Sequence, residues 1–218
     1  MKQYPKILHY TKGPFGQNCY AFYKHDGSNF RAEWSKKRGW YKYGTRNVMV
    51  DKNTPLFGDA IEIFLDKYGE DIDNIFRKKY KSVDSFVVFA EFFGENSFAG
   101  KHVDEDKKDM ILFDVNQYKK GFISPDEFVG NFGNLDIPKV IYKGIYNHEL
   151  IKSVKENILE LEEGLVCKGT YKTKGKDVIW MSKIKTNEWI RKVKEIYGEK
   201  ALLEEFDNDR KLIDEYLY

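Results

Sequence analysis

The chain encodes an α+β fold in which antiparallel sheets carry helices at their periphery. Strand patterns come as short, closely spaced runs joined by turn residues, and helical patterns open at recognisable caps. The two do not alternate regularly as in parallel βαβ folds. No internal repeat or low-complexity linker divides the 218 residues. That length suits one large domain, or one domain with a small appendage, and allows a full core.

The run from Asn18 to Tyr23 reads as a strand that leads into Lys24. SNFRAEW (28–34) is a second strand and WYKYG (40–44) a third, separated by the turn SKKRG (35–39). Thr54 followed by Pro55 predicts a helix start. Ile61, Phe64, Leu65 and Tyr68 then fall at helical spacing, and a shorter helix follows Asp71. DSFVVFAEFFG (84–94) and DMILFDVNQY (109–118) are rich in β-branched and aromatic residues and read as buried strands, yet each carries an acid, Glu91 and Asp114.

Ser124, Pro125 and Glu127 spell the capping box of a short helix. PKVIYKG (138–144) is a strand. Asn147 caps a helix with an apolar stripe of Leu150, Ile151, Val154, Ile158 and Leu161. EGLVCKG (163–169) and VIWMSKIK (178–185) are strands flanking the turn YKTKGK (171–176). From Thr186 the pattern is helical, with a break near Gly198.

The net charge of +2 hides an uneven distribution. Residues 168–194 hold nine Lys or Arg against two acids, and residues 2–52 hold eleven against three. The tail, 195–218, reverses this with eight acids against three bases. Two basic segments far apart in sequence can meet as one face for a polyanion; ordinary solvated lysines are the plainer reading. Two cysteines, Cys19 and Cys167, form no CxxC or pairing framework, which suits a reducing compartment. The N-terminus has no apolar signal-peptide core and no window reaches a membrane span, so the expected location is cytoplasmic with no membrane partner.

Several chemistries are excluded. There is no phosphate-binding GxxxxGK[ST] loop, no Gly-rich dinucleotide turn and no GxSxG nucleophile elbow. The histidines at 9, 25, 102 and 148 are scattered without zinc-ligand spacing. What remains is a set of charges inside strand patterns: Lys24 with Asp26, Glu91, Glu163, Lys168, and Lys183 with Lys185. Lys183 and Lys185, two apart, share one strand face. Burying such a charge unpaired costs several kcal/mol, so the face is expected to be a wet cleft ready for a polyanion.

In their order these residues resemble the covalent nucleotidyltransferases, the superfamily of ATP-dependent polynucleotide ligases and mRNA capping enzymes. KHDGSN (24–29) resembles the lysine nucleophile motif Kx(D/E/H)Gxx, and YGTRN (43–47) the arginine motif that follows it. FAEFFG (89–94) is similar to the glutamate-bearing strand motif and ILFDV (111–115) to the aromatic one. EGLVCKG (163–169) resembles the (D/E)G(V/L)(V/I)xK motif and SKIK (182–185) the closing KxK. Each is weak alone; all six in order, from 24 to 185, are specific. Asn29 stands where DNA ligases and capping enzymes carry Arg, which makes the motif similar to RNA ligases of the bacteriophage and RNA-editing type; Arg31 is a nearby cation that substitutes in part.

The resemblance implies a nucleotidyltransferase (ATP-grasp-like) domain over residues 1–185. Residues 186–218 form a C-terminal helical extension packed on it, with no separate OB domain. It implies an ATP-dependent RNA ligase that uses Mg2+ or Mn2+ and joins 5′-phosphate to 3′-hydroxyl ends through a lysyl-AMP intermediate. Lys24 is then the nucleophile, and Lys183 and Lys185 take up charge on the nucleotide phosphates. Arg46 contacts the ribose and the 5′-phosphate end, Glu91 holds the ribose hydroxyls, and Phe113 stacks on adenine, unless it is simply core. Glu163 is the metal ligand. Asp26 lines the cleft or orients a neighbour. Glu163 and Lys168, five apart, fall on opposite faces by simple alternation.

The expected substrate is RNA, with DNA as a second substrate, and the expected protein is a monomer that takes a partner protein for end recognition. Two other readings fit the same residues: a minimal ATP-dependent DNA ligase or other polynucleotide adenylyltransferase, and a non-catalytic nucleic-acid-binding module that has kept only the fold. Lys24 with its supporting lysines argues against the module.

Overall fold

The computed structural model describes residues 1–55, 57–94, 107–206 and 209–217. His102 and the tail positions 207, 208 and 218, each covered by a sequence expectation above, lie outside these residues. In chain order the elements are β1 (Leu8–His9), β2 (Asn18–Tyr23), β3 (Ser28–Ser35), β4 (Gly39–Thr45) and β5 (Met49–Val50), then α1 (Gly58–Phe64) and α2 (Glu70–Lys79). There follow β6 (Ser85–Phe93), β7 (Asp109–Gln117), β8 (Gly121–Phe122), α3 (Pro125–Phe132), β9 (Val140–Ile145) and α4 (His148–Lys155). The chain closes with β10 (Gly164–Thr173), β11 (Lys176–Lys185), α5 (Asn187–Glu205) and α6 (Arg210–Leu217). Among the described residues, no helix is long and apolar enough to cross a membrane.

The chain divides into two compact units. The first comprises Met1–Pro5 and Asp26–Pro138; the second comprises Lys6–His25 and Lys139–Tyr218.

The first unit is built on a six-stranded antiparallel sheet in the order β5-β4-β3-β6-β7-β8. Aromatic residues fill its core: Phe76 of α2 stacks on Phe86 of β6 with centroids 3.8 Å apart, and the fully buried Trp34 packs against both. α3 begins as its sequence predicts, with the Ser124 hydroxyl accepting from the Glu127 N–H. α1 does not. It begins at Gly58 rather than at Thr54, because the Thr54 hydroxyl closes a turn on Asp51, accepting from the Asp51 N–H at 2.9 Å. A π-helical turn, Leu65–Gly69, joins α1 to α2.

The second unit is built on a five-stranded sheet in the order β1-β11-β10-β2-β9. It is antiparallel except that the two-residue β1 lies parallel to β11. One sheet face supplies Cys19, Ala21, Leu165, Cys167, Trp180 and Ile184 to a core completed by the apolar stripes of α4, α5 and α6. Cys19 and Cys167 are both free, buried and hydrogen-bonded to each other. α4 carries its Asn147 cap but stops at Lys155, short of the predicted stripe. Asn157 takes a left-handed φ of 56°, which ends the helix, so Ile158 is exposed while Leu161 re-enters the core from the following loop. The β10–β11 turn is tighter than expected: Lys174 and Gly175 alone make it, both at positive φ, as two-residue hairpins require. α5 is interrupted at Gly198 (φ 78°, ψ −179°), where the sequence places a break.

Candidate active site

The site lies in the second unit, on the sheet face opposite the apolar core. Side chains directly across a ladder share a face. His9 faces Lys183, Lys183 faces Val166, and Val166 faces Phe22. One row along, Lys185 faces Gly164, and the Lys24 N–H donates to the Gly164 carbonyl at 3.0 Å. The other neighbouring row is Met181, Lys168 and Tyr20. The period-two pattern that sends Cys19, Ala21, Leu165, Cys167 and Ile184 into the core therefore sends Lys168, Lys183 and Lys185 to the opposite face together. The ammonium of Lys168 sits 5.5 Å from the centre of the Phe22 ring.

Glu163 joins them because alternation fails at Gly164. That residue has a φ of 146°, and a Cβ there would lie 2.1 Å from the Ile184 carbonyl oxygen. Only glycine fits. The Glu163 carboxylate accepts from Lys24 Nζ on one oxygen at 2.8 Å and from Lys185 Nζ on the other at 2.8 Å. The sequence expectation that Glu163 and Lys168 point to opposite faces is thereby corrected: Glu163 pairs with Lys24 and Lys185, on the side where Lys168 lies. Gly164→Ala is expected to destabilise the fold by about 1–3 kcal/mol through backbone strain alone, measured by urea unfolding; an unchanged midpoint would contradict the tight approach to Ile184.

A second carboxylate, which the sequence did not reveal, completes the array. Glu205, the last residue of α5, accepts hydrogen bonds on one and the same oxygen from Lys183 and from Lys185, the latter at 3.0 Å. The Glu205 backbone carbonyl accepts from His9 Nε2 at 3.0 Å, and the His9 ring stacks on Phe206. The Lys185 ammonium also lies over the Trp189 ring, 3.3 Å from its centre. Charges thus alternate along a chain: Lys24, Glu163, Lys185, Glu205, Lys183. Glu163, Lys185 and Lys183 are 2%, 3% and 8% exposed. The face is not the wet cleft expected from sequence. It is a buried ion network, and pairing removes the cost that had argued for water.

The pairing is strong enough to decide protonation. Burial pushes Glu163 upward, but Lys185 and Lys24 outweigh it and hold the carboxyl below its ordinary range. Burial likewise opposes ionisation of Glu205, yet Lys185 and Lys183 bring it down to about 2. Lys183 is lowered to about 8 by burial, with Lys185 and Lys24 adding to the effect and Glu205 opposing it. His9 is lowered to about 4, by burial first and Lys183 second.

These shifts fix a pH profile. The folded values of His9 and Glu205 lie below the unfolded ones, so in acid the unfolded chain binds protons that the folded chain refuses. Stability is expected to fall first between pH 6.5 and 4 through His9, and then between pH 4.5 and 2 through Glu205. Each step is worth roughly 3 kcal/mol. Lys183 acts at the other end: stability rises between pH 8 and 10.5 as the unfolded chain loses its excess proton. Urea unfolding across this range measures the curve; a flat acid limb would contradict the buried network.

The remaining sequence-predicted residues lie in the first unit. Asn29 on β3 is the cross-strand partner of Glu91 on β6, and the buried Asn29 Oδ1 has no hydrogen-bond partner among the described residues. Phe113 of β7 is half-buried and meets Tyr4 edge-on, with centroids 4.9 Å apart. Arg46 is exposed in the turn between β4 and β5. Arg31 is not an available cation: it is buried, and its guanidinium donates to the Lys2 carbonyl at 2.9 Å. Gly27 is required by a close approach, since a Cβ there would lie 2.6 Å from the Phe92 carbonyl oxygen.

Together, the antiparallel sheets and their connectivity share the fold of solved RNA ligase structures. The solved structures that share it include an RNA ligase of Naegleria gruberi with pyrophosphate, at a TM-score of 0.64 and 16% identity over 89% of this chain and 58% of that one. Two mutants of the same ligase also match. One, a lysine-to-alanine mutant with ATP and Mn, gives a TM-score of 0.62 and 16% identity over 86% of this chain and 57% of that one. The other, a glutamate-to-alanine mutant with AMP and Mn, gives a TM-score of 0.63 and 15% identity over 88% and 58%. The chain thus spans less than two thirds of the length of these ligases. No protein-family model and no curated protein matches the sequence.

Proposed function

We propose that this protein is an ATP-dependent RNA ligase acting through a covalent lysyl-AMP. The observation that carries the reading is the linkage of Lys24 through Glu163 to Lys185 and Lys183, in a fold shared with solved RNA ligases. The finer description as an ATP-grasp-like domain belongs to the same proposal, as does the assignment of residues 1–185 to catalysis and 186–218 to a helical extension.

In the first step Lys24 Nζ bonds to the α-phosphorus of ATP, the bond to pyrophosphate breaks, and the amine proton leaves to solvent. The ammonium groups of Lys183 and Lys185 would stabilise the charge that builds on the phosphates. The AMP then passes to a 5′-phosphate, and a 3′-hydroxyl displaces it to form the phosphodiester. Arg46, Glu91 and Phe113 are assigned their nucleoside and end-binding roles on the sequence motifs. The buried Asn29 oxygen beside Glu91, unpartnered among the described residues, suits a ligand hydroxyl, which supports that assignment.

The donor set bears on the metal. Among the described residues, no group of three or more His, Cys, Asp or Glu side chains could hold an ion, and both Glu163 oxygens are engaged by lysines. Each of those oxygens keeps a second lone pair, so Glu163 is the candidate carboxylate for Mg2+ or Mn2+ that arrives on nucleotide phosphates. The bound ion would supply charge neutralisation at the phosphates.

The test is to mix the protein with magnesium and ATP labelled at the α-phosphate, denature it, and look for retained label. A stable GMP adduct instead would move the protein to the capping branch, and no adduct with any nucleotide would favour a binding module. Sealing of 5′-phosphate RNA against DNA ends, nicked and single-stranded, then reads the substrate. Equal sealing of all-DNA nicks would overturn the RNA assignment. Whether a partner protein is needed for end recognition follows from whether the protein seals alone.

A further inference from the structure

Lys183 and Lys185 already hold an anion, and it comes from the chain itself. Both ammonium groups converge on a single Glu205 oxygen, the arrangement two lysines adopt around one phosphate oxygen. The carboxylate sits at the C-terminal end of α5, where the helix dipole disfavours negative charge, so the two lysines are what hold it there.

The two carboxylates of the network differ in mobility. Glu163 is 2% exposed and has both oxygens engaged, which leaves it no way out. The Glu205 side chain is 26% exposed and uses one oxygen for both lysines. Its backbone is anchored independently: the carbonyl is held by His9, and the flanking Leu202 and Phe206 are fully buried. The carboxylate can therefore leave by rotating about its own side-chain bonds while α5 stays in place.

We propose that Glu205 is an exchangeable occupant of the polyphosphate site: it neutralises Lys183 and Lys185 when no ligand is bound, and a pyrophosphate or nucleotide phosphate displaces it. A site filled by its own carboxylate most of the time binds the incoming anion with an affinity reduced by the vacant fraction. The exchange has a direction useful to the reaction. When pyrophosphate leaves, Glu205 returns to the lysines and opposes pyrophosphate rebinding, which would otherwise run adenylylation backwards. This inference rests on the ligase reading for its purpose but not for its test.

The probe is inorganic pyrophosphate with magnesium, titrated calorimetrically into the wild-type protein and into Glu205→Gln, Glu205→Ala and Lys183→Met, with circular dichroism to check folding. Folded Glu205→Gln and Glu205→Ala are expected to bind about tenfold tighter than wild type, and Lys183→Met to bind more weakly than wild type. Equal or weaker binding in both Glu205 variants overturns the proposal, as does absence of binding throughout. If neither variant folds, the side-chain carboxylate carbon of Glu205 in 13C-labelled wild-type protein is followed by NMR. It is expected to shift as pyrophosphate saturates the site, and an unmoved signal at saturation overturns the exchange. Neither measurement needs adenylylation. A protein that forms no adenylate but shows the exchange would sink the ligase reading alone, and an adenylating protein without it would sink this inference alone.

Discussion

Lys24→Ala is expected to abolish retention of α-phosphate label, a fall of at least about a thousandfold, because the proposed lysyl-AMP forms on this amine. The fold should survive. Lys24 lies just beyond β2, its side chain is 21% exposed, and its partner Glu163 keeps Lys185 at 2.8 Å. Loss of one charge-assisted hydrogen bond predicts a stability change of about 1–3 kcal/mol, readable in the same urea titration. Label retained in a folded Lys24→Ala protein would place the nucleophile elsewhere. Lys183→Met separates the roles: it keeps the proposed nucleophile and removes one of the cations proposed to face phosphate, so adenylylation should slow rather than vanish.

Glu163→Ala is expected to be the most destabilising single change in the site, by about 3–5 kcal/mol, because it leaves a buried ammonium without its closest carboxylate. Lys185 is 3% exposed and, among the described residues, keeps only Glu205 as counter-charge. Glu163→Gln keeps the shape and one acceptor, and should cost less. The double variant Glu163→Ala with Lys185→Met removes both members and should recover much of the loss, which a double-mutant cycle reads as a coupling energy. A cost below about 1 kcal/mol for Glu163→Ala would mean that the pair is screened as a surface pair is, and the buried network would be wrong.

The sequence carried the local structure where the signal is local. Ser124 and Asn147 announce their helices because a cap and its N–H partner lie three residues apart. Thr54 misled for the same reason: its hydroxyl had a nearer partner in Asp51, and nothing in the Thr-Pro pair reveals that competition. The stripe through Ile158 failed because one left-handed residue, Asn157, ends a helix whatever the apolar period beyond it. The division of the chain between His25 and Asp26, one residue past Lys24, leaves no trace in composition.

Lys24, Lys183, Lys185 and Glu163 were legible as strand charges in a motif order, and the structure brings all four together. Glu205 was not legible. It lies in an acidic tail where nothing distinguishes it from Glu204 or Glu199, and twenty-two residues separate it from Lys183. Nor could sequence show that β1 inserts His9 beside Lys183, since a two-residue strand has no period to read.

Residue order alone determined the alternation of β10 and β11, the caps of α3 and α4 and the placement of Lys183 and Lys185 on one strand face. All of these follow from periods and contacts spanning a few residues. Tertiary structure alone decided that those lysines are buried rather than wet, and which carboxylates neutralise them. Lys24 and Glu163 stand 139 positions apart, and a charge that far from its partner acquires one only when chain closure brings the two together and burial makes leaving either unpaired too costly.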